Sequence, residues 1–487
     1  MSRSERSRIA RAASRVSGMD ERGAKSRLVN ARIAVRLETE SNDDQATFLA
    51  AVRLALLFAG AVSVVLPTGR GDELWGQCKR LAASLRGSIR TIRRAKSLEG
   101  LKFAAALSVG QTVSRDPRVV SVSSSGWLVR LVAASSEGVL PDIGSFSREK
   151  PAEGNLIAAL GAAAVGMGEV FLRMLEVSRE ASGFEWSLFA YATGPIGSLP
   201  RGPAFLTELR LRALQVGAGT VGGAFDLVLS LLDPIGIVWI VDPQLARREN
   251  FGPHVLIGAA DYGKPKVLIA KAALDARHSD RLQVVTFREP ISFTWRRRGF
   301  DIARPEVIVS GLDKARPRHQ AQRWWAPLHI DMATGGLQCQ VMVRTNPGGG
   351  RCLIEAFHPG NEAAEEEVWS QQTGLRADRL RDPMAEITDA DINGAPPAMR
   401  PRLREAKNRG QRMCNVVTGA EAGAKNDRDF AAAAPFIAFL AGVLAVAELV
   451  KSRVSSRDGV FVQYNFLRNA VFHEVTSAAD TCECRAA

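Results

Sequence analysis

The chain has 487 residues, enough for two to four domains, with 46% hydrophobic and 24% charged residues. That balance is ordinary for a globular protein and excludes a chain too polar to build a core. Its formal net charge is +13 with a pI near 9.9, a balance compatible with an anionic partner, although much of the excess is local. Residues 1–37 carry ten Lys/Arg against three Asp/Glu. Residues 1–40 are therefore expected as a basic, disordered arm; with no aromatic side chain among its arginines, it gives no support to nucleic-acid stacking.

Residues 51–67 suggest a helix and then a buried strand that stops at Pro67. Val119–Val122 and Trp127–Val132 flank Ser-Ser-Ser-Gly as a hairpin would. Leu156–Leu175 is a long apolar helix, and the Gly-, Pro- and Ser-rich stretch 194–202 is a linker. From Leu209 strand and helix alternate: strands at 209–216, 235–241, 282–287, 307–312 and 328–332, with helices at 221–232, 264–276 and 316–325 between them. The alternation predicts an α/β fold with a doubly wound, mostly parallel sheet. Residues 355–425 are polar and are expected as a mobile insertion, and 461–487 as a tail.

The longest apolar run, Ala431–Val450, contains Pro435 and Glu448 and is expected to be a buried helix rather than a membrane span. It echoes the helix at 157–171. Gly-Met-Gly-Glu-Val-Phe ends one and Ala-Val-Ala-Glu-Leu-Val the other, with the glutamates Glu169 and Glu448 279 residues apart. Either two alanine-rich core helices coincide, or the first half is a degenerate copy of the second.

The chemistry concentrates in the second half. Val216-Gly217-Ala218-Gly219-Thr220-Val221-Gly222 follows a strand and opens a helix, the context in which backbone N–H groups meet a phosphate. Asp242 stands at the end of the next strand, where an acid can bond a ribose hydroxyl. Lys264 and Lys266 open a helix, and Asp313 ends a later strand. Hydride transfer has little use for either, whereas nucleotidyl transfer uses lysine to offset phosphate charge and aspartate to hold Mg²⁺.

These positions resemble the adenylation domain of the ThiF/MoeB/ubiquitin-activating superfamily, most closely the activating enzymes of bacterial ubiquitin-like conjugation systems linked to phage defence. The resemblance covers 205–460 well and 41–200 loosely. It implies a Rossmann-like adenylation domain at 205–460 preceded by an inactive, adenylation-like half at 41–200. It also implies ATP and Mg²⁺ as cofactors, with Gly217, Gly219 and Gly222 as the loop, Asp242 on the ribose, Asn250 in the asparagine position, Lys266 on the phosphates and Asp313 as the Mg²⁺ acid. The implied partners are a ubiquitin-like protein and a conjugating enzyme, and the implied assembly a homodimer or a pseudo-dimer within the chain. Two features depart from the family: Pro253 stands where it has an arginine, and Gln244 replaces a second acid. Arg247, Arg248 or an arginine of another subunit could supply the missing cation.

Six cysteines, none in C-x-x-C spacing and with no signal peptide before them, predict neither a disulfide framework nor a four-cysteine zinc site and suggest a cytoplasmic protein. Enzymes of this kind pass the acyl group to a cysteine. Cys414, flanked by Arg409 and Arg412, is the candidate, with Cys352 in reserve and Cys339 and Cys78 assigned to the core. Two other readings stand beside this one: a sulfur-carrier adenylyltransferase of the MoeB/ThiF type without its own thioester, and a non-catalytic Rossmann nucleotide-binding scaffold.

Overall fold

The computed structural model describes residues 7–39, 41–69, 71–110, 112–141, 154–298, 304–345, 349–357, 365–380, 385–411, 413, 416, 434–454 and 459–478. The first half runs α1 (Ser7–Ser17), α2 (Glu21–Asn30), β1 (Arg32–Leu37), α3 (Asn42–Phe58), β2 (Ala61–Val65), α4 (Gly71–Arg86), β3 (Ile92–Ala95), β4 (Ala105–Val109), β5 (Val119–Ser125), β6 (Leu128–Ala133), α5 (Leu156–Met174), β7 (Ser182–Ser187) and β8 (Thr193–Gly194). The second runs β9 (Glu208–Val216), α6 (Thr220–Ser230), β10 (Asp233–Val241), α7 (Lys266–His278), β11 (Leu282–Phe287), α8 (Ile291–Arg298), β12 (Val307–Ser310), α9 (Ala315–Gln322), β13 (Leu328–Gly335) and β14 (Gln338–Thr345). Short helices follow, and then a final long helix (Pro435–Val454), β15 (Gly459–Asn465) and β16 (Ala470–Thr476).

The two sheets have one topology. Their orders are β3-β2-β1-β4-β5-β6-β7-β8 and β11-β10-β9-β12-β13-β14-β15-β16. In each, the first five strands in that order are parallel and the last three antiparallel. Each therefore has its switch point between the two central strands, β1 and β4 in one and β9 and β12 in the other. The echo between α5 and the final helix belongs to this duplication, since each lies between the sixth and seventh strands of its half.

Both echo helices are buried along nearly their whole length, the final one from Pro435 to Lys451, and they pack on each other and on α3 and α6. Glycine makes the approach possible. A Cβ on Gly442 would meet the Ala224 carbonyl carbon of α6 at 2.6 Å, and one on Gly168 would meet the Phe466 ring of the other half at 2.2 Å. Both helices are long and apolar enough to cross a membrane, yet 94% of the most apolar window of each lies inside the molecule.

Three segments differ from expectation. Residues 7–30, expected as a disordered arm, form α1 and α2. Ile9, Ala10, Ala13, Ala24 and Leu28 join the main core, because apolar side chains recur there at helical spacing among the arginines. Residues 461–476, expected as a tail, complete β15 and form β16 of the second sheet. Within 355–425, expected as a mobile insertion, helices at Glu365–Thr373, Ala377–Leu380, Asp389–Gly394 and Arg400–Asn408 enclose a core of their own around Trp369, Leu380, Ile392, Leu403 and Met413, seated on Phe293 of α8.

Candidate active site

The site forms at the second sheet's switch point. β9 ends at Val216, and Gly217 turns the chain with φ of +95°, so that a Cβ there would meet the Gly311 carbonyl oxygen at 2.7 Å. Only glycine suits both the angle and that approach. A Cβ on Gly222 would meet Gly217 O at 2.0 Å, which packs the start of α6 onto the turn. Gly219 differs: a Cβ there meets nothing within 4 Å, and as N-cap of α6 it leaves the first-turn N–H groups without a side-chain cap. An open glycine beside uncapped N–H groups at a helix N-terminus suits an anion.

Asp242, at the end of β10, is buried. Its Oδ2 accepts from Ala218 N and its Oδ1 from Gln244 N, each at 2.7 Å, which ties the acid to the loop. Lys266 opens α7, is 6% exposed, and donates from Nζ to Gln244 Oε1 at 2.6 Å. Burial lowers its pKa. The charge on Asp242 opposes that, Arg8 and Arg247 add to it, and Asp313 opposes it. Asp313 lies exposed just beyond β12. The charges of Asp242 and Asp313 thus both act on Lys266. Asn250 is buried in a 3₁₀ turn, where its Oδ1 accepts from Arg247 N at 2.9 Å, so in this structure it shapes the loop that carries Arg247.

Pro253, where the resemblance expects an arginine, is buried, and two arginines lie within electrostatic range of Lys266. Arg247 is one; Arg248 instead stacks over Tyr262 at 5.6 Å. The other is Arg8 of α1, which the sequence reading left in the arm. Burial lowers its pKa, against the charges of Glu249 and Asp313. The signal available was the apolar spacing of Ile9, Ala12, Ala13 and Val16, which turns 7–17 into a packed helix. Also missed was His254. Its ring contacts Ala218 O at 3.2 Å through Nε2 and accepts from Leu256 N at 3.3 Å through Nδ1. Burial and then Lys266 lower its pKa to about 3, so it is neutral.

Behind the loop, Gln215 Nε2 lies 3.3 Å from Gly217 O, 3.5 Å from Gly222 O and 3.1 Å from Asp226 Oδ2. Burial pushes the Asp226 carboxyl up to about 7. On the far side of Asp313, Arg318 donates from Nε to Leu312 O at 3.0 Å and pairs with Asp331 at 3.4 Å, which fixes the turn that carries Asp313.

The equivalent crevice of the first half is filled. Glu38 follows β1 where Gly217 follows β9. Its carboxylate accepts from Ser108 Oγ at 2.6 Å and Thr112 N at 2.8 Å, and presses against Gly110, the counterpart of Gly311. A carboxylate stands there in the position of the phosphate turn, with Asp43 and Asp44 in the first turn of α3, an arrangement unfavourable to an anion.

Among the cysteines, Cys414 lies outside the described residues. Cys352 is 1% exposed and accepts from Gln322 Nε2 at 2.9 Å, a buried setting. Cys78 and Cys339 are buried, and burial pushes the Cys78 thiol up to about 12.

A sequence model of the ThiF family matches residues 205–486, more than half of the chain. The chain belongs to the ThiF family. At the level of the superfamily it is an ATP-using, adenylating enzyme. A second model, the BilD N-terminal domain, matches residues 31–186 of this ThiF-family chain, within the first half. Solved structures similar to it include E. coli MccB with MccA-N7isoASN, at 12% identity over 57% of this chain and 67% of that one, TM-score 0.36. E. coli MccB with ATP is similar at 11% identity over the same shares, also with TM-score 0.36. No curated protein sequence matches the chain.

Proposed function

We propose that this enzyme activates the C-terminal carboxylate of a ubiquitin-like protein with Mg²⁺–ATP and passes it to Cys414. The convergence of Asp242, Lys266, Asp313 and Arg8 on the glycine turn carries the reading. Bound ATP supplies an α-phosphorus for the substrate carboxylate to attack, giving acyl-adenylate and pyrophosphate.

The protein's own groups then have defined tasks. The first-turn N–H groups of α6 and the open side of Gly219 cradle phosphate. Asp242, anchored by Ala218, offers its remaining lone pairs to the ribose. Lys266, Arg8 and Arg247 offset the charge that grows on the leaving pyrophosphate. Asp313 would hold Mg²⁺; one exposed carboxylate fits an ion that takes most of its ligands from phosphates and water. Among the described residues no group of three or more His, Cys, Asp or Glu could hold a metal without such help. The Cys414 thiolate would attack the acyl carbon, releasing AMP and leaving a thioester for a conjugating enzyme.

The test is ATP–pyrophosphate exchange with the ubiquitin-like substrate. Asp313→Ala is expected to lose about 100-fold or more in rate. Cys414→Ser should keep exchange and lose the reducible thioester. Equal exchange in Asp313→Ala and wild type defeats the assignment. Full conjugation by Cys414→Ser defeats the thioester and supports the sulfur-carrier reading.

A further inference from the structure

β13 and β14 carry a pair of side chains that adenylation does not use. His329 and Arg344 are direct partners in this antiparallel ladder, so their side chains share a face. Ile330 and Met332 enter the main core, which places His329 and Asp331 on the opposite face, with Ser310.

Arg344 is 2% exposed. Its Nε, Nη1 and Nη2 have no hydrogen-bond partner, and it forms no ion pair among the described residues. The ring of Trp325 lies 5.2 Å from its guanidinium carbon. His329 is also orphaned on one side. Ser310 Oγ donates to Asp331 Oδ1 at 2.5 Å, so its contact with His329 Nε2 at 2.9 Å assigns the ring proton to Nε2. Nδ1 is left with a lone pair and no partner. Asp331, on the same strand face, is already engaged by Ser310 and by Arg318.

A buried guanidinium without a counter-charge is costly to desolvate, and a methionine of similar volume in its place is commonly neutral or stabilising. A planar fork with every N–H vacant matches the two oxygens of an oxyanion. Trp325, whose ring faces the guanidinium, is 38% exposed and holds φ of +50°, a conformation that bulky residues adopt rarely. It is the exposed side chain past which an anion would reach Arg344.

We propose that Arg344 and His329 form a binding site for an oxyanion, a carboxylate or a phosphate group, admitted beneath Trp325. The anion's oxygens take the guanidinium fork, and His329 Nδ1, a lone-pair acceptor, receives the proton of a P–O–H group when the anion is a phosphate. The source is either a free anion or an acidic side chain of a bound polypeptide. Neither Arg344 nor His329 is among the groups assigned to the nucleotide, so the inference does not depend on the adenylation reading.

The test uses the full chain with its nucleotide site filled by a non-hydrolysable ATP analogue. Inorganic phosphate, and separately a short peptide rich in Glu, are titrated while tryptophan fluorescence and the thermal midpoint are read. Wild type should show a saturable change with at least one probe, phosphate indicating a free anion and a response to the peptide alone an acidic side chain. Trp325→Phe should lose the optical signal but keep the thermal gain. Arg344→Lys should bind about 10-fold more weakly. Arg344→Met should fold, match or exceed the wild-type midpoint without anion, and show no gain with either probe. A less stable Arg344→Met, together with no saturable response in wild type, would mean a structural arginine and overturn the site. Equal responses in Arg344→Met and wild type would overturn it too.

Discussion

Glu448 on the final helix accepts a hydrogen bond from Tyr191 Oη at 2.5 Å, across the boundary between the two halves. The relationship has a counterpart. Glu169 on α5 accepts from Asn469 Nδ2 at 3.1 Å, again across that boundary. Tyr191 sits in the turn between β7 and β8, and Asn469 in the turn between β15 and β16. Each half thus sends its helix glutamate to the other's last turn, the reciprocal pattern of a two-fold interface within one chain. Burial pushes the Glu169 carboxyl up, but Arg179, Arg173 and Asn469 outweigh it and hold the pKa below the usual value.

This pairing predicts that Tyr191→Phe costs about 1–3 kcal/mol, because Glu448 is buried and loses a donor. Urea unfolding of the full chain measures it. A change below about 0.5 kcal/mol would mean that Lys451, at 2.8 Å from Glu448, suffices alone.

Arg8 should matter to nucleotide chemistry and little to the fold. Arg8→Ala is expected to slow ATP–pyrophosphate exchange by about 100-fold, with Arg8→Lys intermediate. Steady-state exchange against ATP concentration checks this, and an unchanged rate would return α1 to a packing role only.

Asp226 gives a pH signature. Its folded pKa, about 7, lies well above the ordinary carboxylate value near 3.8, so between these the folded state holds a proton that the unfolded state has lost. Its contribution is fully present below about pH 4 and is lost as pH rises through 7. Asp226→Asn stays neutral and should flatten that decline relative to wild type. Paired unfolding measurements at pH 5 and pH 8 read the difference. The buried histidines His254 and His329, with pKa lowered to about 3, act in the opposite sense below pH 6.5, and they cancel in the comparison.

Gly223 is a steric requirement of the loop. A Cβ there would lie 2.1 Å from His254 Cε1. Gly223→Ala should therefore displace His254 from Ala218 O, cost about 1–3 kcal/mol, and weaken ATP binding. Adding His254→Ala should recover part of the stability. Isothermal titration with ATP and thermal unfolding decide it, and a single substitution without effect would show that the ring moves aside freely.

Much of the second half was legible because its signals are local. Strand–helix alternation is a matter of period, and the glycine turn at 217–222 is one of backbone angle and close approach, both written in neighbouring residues. The apolar runs at 156–174 and 435–454 likewise declare buried helices through their own composition. The extra segments were misjudged where local composition misleads: arginines hid the apolar stripe of α1, and the polar stretch after 365 hid a small helical core around Trp369.

What only the tertiary structure decided is convergence. Arg8 stands hundreds of residues from Asp313 in sequence, yet the fold brings their charges within range of each other. Glu38 reveals the first crevice as filled only once β1 and β4 bring it against Gly110. Arg344 is an ordinary arginine in the sequence and becomes an uncompensated charge only when β13, β14 and Trp325 close around it. Local chemistry sets which elements form; which charges share a space, and at what cost in lost solvation, follows from packing between residues distant in the chain.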